Sequence, residues 1–218
     1  FIVGYEMDAV INLLIVNADW FPHMSLNAFN PWWLYSGLSG LDMSDKHLVF
    51  GITNAKQFGL YMFIILYAFA TIIVFFSKKQ DLLRRFILAQ ALVVFGFFHL
   101  LTESHESYLY HLMGLVPLVA FFQTQSRRIL LTFVYYLLFI LSFFLNMYIA
   151  FQFFYQSVWW PFDKSFSLLV SFFVSWANIV LFGAFVLIYS RKYIVRYALF
   201  LSVVIACVIG VIAVQNMP

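Results

Sequence analysis

The sequence predicts an all-α fold, a polytopic transmembrane helical bundle, and three observations carry that prediction. Hydrophobic residues make up 65% of the 218 positions and charged residues 10%, with a mean hydropathy of +0.95. A soluble domain of this length needs far more polar surface. Apolar runs recur at about the 20 residues that a helix needs to cross a hydrocarbon core. The charged residues fall between those runs, as the cost of an ionised group in lipid requires. Two other classes are excluded. The single cysteine, Cys207, can build neither a disulfide framework nor a thiolate metal site. A net charge of +3 from scattered basic residues does not suit nucleic acid, so membrane lipids are the first expected partners.

Taken in order, residues 1–56 read as an interfacial or re-entrant segment and residues 57–218 as a six-helix transmembrane domain. The opening FIVGYEMDAVINLLIVNADWF lacks the basic, apolar and small-residue order of a signal peptide. Ala9 to Val16 is too short to span a bilayer and is flanked by Glu6, Asp8 and Asp19, which predicts a short interfacial or re-entrant helix. The next stretch, FPHMSLNAFNPWWLYSG, mixes Trp, Tyr, Asn, His and Pro as interfacial segments do, and Asp42, Asp45, Lys46 and His47 prolong that wet region. Spans are predicted over Phe58–Ser77, Arg85–Leu101, a short Tyr108–Phe122, a long and tilted Ile129–Tyr155, Phe166–Tyr189 and Tyr193–Val214.

The connecting loops set an orientation. Lys78, Lys79, Arg84 and Arg85, then Arg127 and Arg128, then Arg191, Lys192 and Arg196 fall on one face if each run crosses once. By the positive-inside rule that face is cytoplasmic. The opposite face receives Glu6, Asp8, Asp19, Asp42, Asp45, Glu103, Glu106 and Asp163, with the five histidines on or near it. Its densest point is Thr102–His111, where Glu103, His105, Glu106 and His111 sit between long apolar runs. A functional surface is therefore expected on the periplasmic, extracellular or lumenal side.

Two segments on that side resemble a known family. SLNAFNPWWL, Ser25 to Leu34, is similar to the Asn-Ala-aromatic-Asn-x-Trp segment of polytopic GT-C glycosyltransferases, especially bacterial mannosyltransferase-like members. SHESYLYHLMGLVPL, Ser104 to Leu118, resembles the later His-Glu-basic-Tyr-Leu segment of the same proteins, and order and spacing agree over Phe21 to Leu118. The resemblance implies an enzyme that takes a sugar from a polyprenyl-phosphate carrier, a lipid-linked donor, and transfers it with inversion to an acceptor on the outer face. The residues it places at the substrate are His105, Glu106, Tyr108, Tyr110, His111, Asn27, Asn30 and Trp32. Phosphate donors at the start of the third span and aromatic surface for the sugar suit such a donor. No cofactor is implied, although a divalent metal is compatible with the site. A bacterial plasma membrane fits the motif better than the endoplasmic reticulum membrane.

The sequence departs from the family at two points. The residue after His-Glu is Ser107 where the family has Arg or Lys, which removes the cation best suited to a phosphate. The family also carries its catalytic carboxylate in a first outer loop, after a spanning helix, and residues 1–20 are not expected to supply that helix. The chain is therefore expected to be the carboxy-terminal part of such a protein. The base would lie outside it, in a missing amino-terminal part or a second polypeptide, with Asp8 the early carboxylate of suitable type within it.

Other readings stand beside this one. A non-catalytic subunit would keep the scaffold and lose the chemistry. A metal-binding membrane oxidoreductase is suggested by His99, His105 and His111, yet a repeat of six residues turns each about 120° away from the last on a helix. Asn27 and Asn30, ahead of Pro31, also suit a plain turn. Asn146, Gln152, Trp176 and Asn178 within the spans suit interhelical hydrogen bonds.

Overall fold

The computed structural model describes residues 21–49, 51–122, 126–155 and 164–215. Ala9–Val16, with Asp8, Glu6 and Asp19 around it, and Asp163 lie outside the described residues. In chain order the elements are α1 (Pro31–Tyr35), β1 (Leu48–Val49), β2 (Thr53–Asn54), α2 (Ala55–Phe75), α3 (Leu82–Leu100), α4 (Leu112–Phe121), α5 (Ser126–Tyr155), α6 (Lys164–Phe185), α7 (Arg191–Arg196) and α8 (Ala198–Gln215). A 3-10 turn at Lys79–Asp81 leads into α3, a second at Glu106–His111 leads into α4, and a wide π turn at Val186–Ser190 joins α6 to α7. The two short strands pair antiparallel, Leu48 opposite Asn54 and Val49 opposite Thr53, around Gly51 at φ +69°.

Among the described residues, four helical stretches are long and apolar enough to cross a membrane: Ala55–Phe75, Lys79–Leu100, Leu130–Phe151 and Ser165–Arg196. They expose rows of large apolar side chains, such as Tyr67, Leu130, Phe173 and Val180, that only lipid or another helix would tolerate. The chain is an integral membrane protein with an all-α bundle. The two remaining predicted spans are shorter as built. Tyr108–Phe122 becomes a polar 3-10 turn followed by the 10 residues of α4. Tyr193–Val214 is divided at Tyr197, leaving the apolar stretch Ala198–Ala213.

Local chemistry starts and joins these helices. The Asn54 side chain caps α2 by accepting from Gln57 N at 2.8 Å. α2 and α3 pack antiparallel, with Arg85 beside Phe76 at one end and Gly59 beside Leu100 at the other, so the chain's polar segments gather at two ends. Residues 21–54 and 101–111 form a cap at one end. Lys78, Lys79, Arg84, Arg85, Arg191, Lys192 and Arg196 lie at the other. Between them, Phe95 on α3 packs against Phe139 of α5 and Phe185 of α6, with ring centroids 5.7 and 5.1 Å apart. Leu112 and Val116 of α4 close the same core.

Where α2 meets the end of α3 the fit is tight enough to require glycine. A Cβ on Gly59 would stand 2.2 Å from the Leu100 carbonyl oxygen and 3.2 Å from the Trp32 ring. Small residues serve helix crossings in membranes in this way. Gly59→Ala is expected to cost about 1–3 kcal/mol, read as a lower thermal midpoint in detergent. Gly114→Ala, where a Cβ meets nothing within 4 Å, should leave that midpoint unchanged or raise it slightly.

Candidate functional site

The cap is built on an irregular segment that enters the bundle. Met24, Ser25, Leu26, Asn27, Ala28, Phe29 and Asn30 are all at most 4% exposed, although none of them is in a helix or strand. Backbone groups buried in this way must find protein partners. Three carboxamides supply them. Asn30 accepts from Trp32 N at 3.0 Å and Trp33 N at 3.1 Å, capping α1, and donates through Nδ2 to Phe98 O at 2.8 Å. Asn146 of α5 accepts from Phe29 N at 3.1 Å and donates to Asn27 O at 3.0 Å. Asn178 of α6 donates to Phe29 O at 2.8 Å and accepts from Ser142 Oγ at 2.7 Å. The indoles finish the anchoring: Trp32 Nε1 donates to Leu100 O at 2.9 Å, and Trp33 Nε1 to Ser171 Oγ at 3.0 Å.

The same segment seizes the acidic and histidine-bearing stretch. Leu26 N donates to Ser104 O at 3.1 Å, Glu103 N donates to His23 O at 3.2 Å, and both Leu26 and Asn27 form isolated bridges to His105. Asn27 at φ +61° and Glu103 at φ +58° occupy the left-handed region, which Asn tolerates better than most residues. The two motifs, about eighty residues apart in sequence, therefore form one backbone-linked unit. The Asn27 carboxamide differs from its neighbours: both of its polar atoms are buried with no hydrogen-bond partner among the described residues.

Within the unit, His105 Nδ1 lies 3.5 Å from a Glu106 carboxylate oxygen, and the Tyr108 ring stands edge-on to the imidazole at 5.6 Å. Burial, reinforced by Glu103 and Glu106, holds the Tyr108 phenol above its ordinary range, so it keeps its proton. Tyr110 and His111 are exposed at the rim. Of the eight residues predicted at a substrate, the structure places His105, Glu106, Tyr108, Tyr110 and His111 on one turn. Asn27 is adjacent through the backbone. Asn30 and Trp32 have their polar groups committed to anchoring. Trp32 also lines, with Pro31, Tyr35, Phe58, Met62 and Leu100, an apolar cavity of about 200 Å³ on the flank of the cap.

A second polar group at the cap escaped the sequence reading. Lys56 Nζ is 2.8 Å from Glu103 Oε1 and 3.6 Å from Asp45 Oδ2, so two carboxylates share this ammonium. Asp45 is fully buried. Glu103 is held above the ordinary carboxyl range, chiefly by burial; Lys56 pulls the other way and Asp45 adds to the rise. Among the described residues no three His, Cys, Asp or Glu side chains come together as a metal site. His99 is occupied otherwise, with Nδ1 2.8 Å from Phe95 O and Nε2 3.0 Å from Asn178 O. Asn146 and Asn178 were legible as polar residues in apolar spans, but no spacing reveals that they clamp a loop.

The site and fold place the chain among polytopic helical membrane proteins with a loop-built cap at one face. No family model, curated protein or solved structure matches the chain.

Two outcomes follow for this region. Asn146→Leu keeps the branched shape but strands Phe29 N and Asn27 O, at roughly 1–3 kcal/mol for each buried group; a drop in thermal midpoint with retained helical circular dichroism is expected. For Glu103 the folded value is raised, so its contribution to stability is present below its ordinary 4.5 and is lost as pH rises through the folded value. The native protein should lose stability across that window, and Glu103→Gln, which keeps an acceptor for Lys56, should not. Parallel melting curves from pH 4 to pH 8 check this.

Proposed function

We propose that this chain forms part of a membrane glycosyltransferase of GT-C type, which transfers a sugar from a polyprenyl-phosphate carrier to an acceptor on the outer face. The observation that carries the reading is the backbone union of the SLNAFNPWW and SHESYLYH segments, the two stretches in which the family resemblance resides. In this reading the cap end faces the periplasm or lumen and the basic end the cytoplasm. A bacterial plasma membrane is the setting that the motif favours. The donor phosphate would sit against His105, Tyr110 and His111 at the rim, with Tyr108 as a further donor. Glu106, 3.5 Å from His105, orients that imidazole and is a positioning residue, not the base. The unpartnered Asn27 carboxamide offers a donor and an acceptor beside the same turn. The base that deprotonates the acceptor hydroxyl would come from a carboxylate outside the described residues, on this chain at Asp8 or on a second polypeptide.

A second reading, a scaffold subunit without chemistry, is favoured by a specific observation: Asn30 and Trp32 spend their polar groups on the fold. Sugar transfer in membranes containing the protein with its native partners, supplied with radiolabelled polyprenyl-phosphate mannose, separates the two. His105→Ala should lower transfer about 10- to 100-fold, the loss of a charge-assisted hydrogen bond, with unchanged helical content. Transfer that is undiminished by His105→Ala, and by Tyr110→Phe with His111→Ala, would leave the scaffold reading.

A further inference from the structure

The basic end contains a second built site, independent of the cap. Two adjoining cavities, each about 220 Å³, open there between the start of α3 and the π turn with α7. Arg84, Lys192 and Tyr193 line both of them. Arg191 enters the first, and Leu88 and Ile188 form part of its wall. The cavity is thus cationic on one side and aliphatic on the other. Asp81 lines the second cavity and is the carboxylate that faces this group, 3.9 Å from Arg85 Nη2.

The backbone is shaped to make this arrangement. At Val186–Ser190 the helix widens to a π turn, a feature that inserts a residue into a helix and often marks a functional position. The turn carries Ile188 and delivers Arg191 and Lys192 immediately after it. Arg85 is spoken for: its Nη1 donates to Phe76 O at 2.9 Å and lies 3.4 Å from Ile73 O. Arg84, at the adjacent position, turns to the cavity instead. A soluble anion would need no aliphatic wall. A phospholipid needs cations for its phosphate and apolar surface for the first carbons of its chains, at the depth of the membrane interface.

We propose that this cavity binds the headgroup phosphate of an anionic phospholipid from the leaflet at the basic end. Arg84, Arg191 and Lys192 hold the phosphodiester, and Leu88 and Ile188 seat the glycerol and upper acyl chain. Basic pockets between transmembrane helices suit such headgroups, and each cation that reaches the bound phosphate adds about fivefold in affinity.

The test uses the full chain in neutral detergent, with native mass spectrometry reporting bound lipid against equal amounts of phosphatidylglycerol and phosphatidylcholine of identical chains. At least a tenfold preference for phosphatidylglycerol is expected. Arg84→Gln with Arg191→Gln should lower the affinity for phosphatidylglycerol about 25-fold and bring the preference down towards one. Lys78→Gln with Lys79→Gln removes the same charge from an open surface of the same end and should change it less than twofold. Ile188→Trp, which fills the cavity while keeping every charge, should also lower it, and this variant carries the test if the arginine pair does not fold. Equal losses in the two charge variants would mean diffuse attraction and overturn the proposal. So would an absence of preference over phosphatidylcholine, or binding of free glycerol phosphate as strong as that of the lipid.

Discussion

Seven consecutive residues without helix or strand are buried among membrane helices, and each of their peptide groups needs a partner that lipid cannot offer. The rest of the structure is arranged to meet that demand. Asn146 reads both a donor and an acceptor of the segment, Phe29 N and Asn27 O, so it fixes the height of the segment as well as its presence. Asn178 takes Phe29 O and is itself held by Ser142, which ties α5 and α6 to each other at that level. His99 extends the network to α3 by bonding the Asn178 carbonyl. Polar residues that would weaken a lipid-facing helix are here turned inward and mutually satisfied.

This network also explains how a surface turn acquires a defined geometry. The segment that the carboxamides hold is the one that pairs with Ser104 and His105. Rigidity therefore passes from mid-span Asn residues, through loop backbone, to an imidazole at the cap. The left-handed conformations at Asn27 and Glu103 lie on either side of this junction, and each costs free energy that only an over-determined setting sustains. A site built this way can present side chains within the narrow tolerances that binding requires. The close packing at Gly59 serves the same end, because it brings the Leu100 carbonyl under the Trp32 indole.

Much of this fold was legible in the sequence because hydropathy is a local property. The all-α membrane class, the four long spans and the separation of basic from acidic ends each follow from composition along a single window. The lengths of Tyr108–Phe122 and Tyr193–Val214 were less legible, because hydropathy does not register whether a run is α-helical. Glu106–His111 winds as a 3-10 turn, and Tyr197 interrupts the last run. The site residues divided in a similar manner. Residues 105, 106, 108, 110 and 111 are neighbours in sequence, so their proximity needed no fold. That Asn30 and Trp32 would serve as anchors depends on partners about seventy residues away, Phe98 and Leu100, and the Asp45–Lys56–Glu103 group likewise spans distant segments. Pairings of that separation are set by tertiary packing and leave no periodic trace.

The two ends of the bundle handle buried charge in opposite ways. At the cap, Asp45 and Glu103 converge on Lys56, and burial, with Asp45 adding to it, raises the proton affinity of Glu103. At the basic end, Arg85 is buried too, yet its weakly hydrated guanidinium is met mainly by the carbonyls that close α2, where the helix dipole is negative. The Tyr193 ring adds a cation–π contact, with the guanidinium carbon 5.3 Å from its centroid. A cation neutralised by dipoles and a ring, with Asp81 no nearer than 3.9 Å, locks α3 against α2 and α7 without consuming the neighbouring positive charges. That division of labour lets Arg84 and Arg191 face an open cavity while the helix ends beneath them stay fixed.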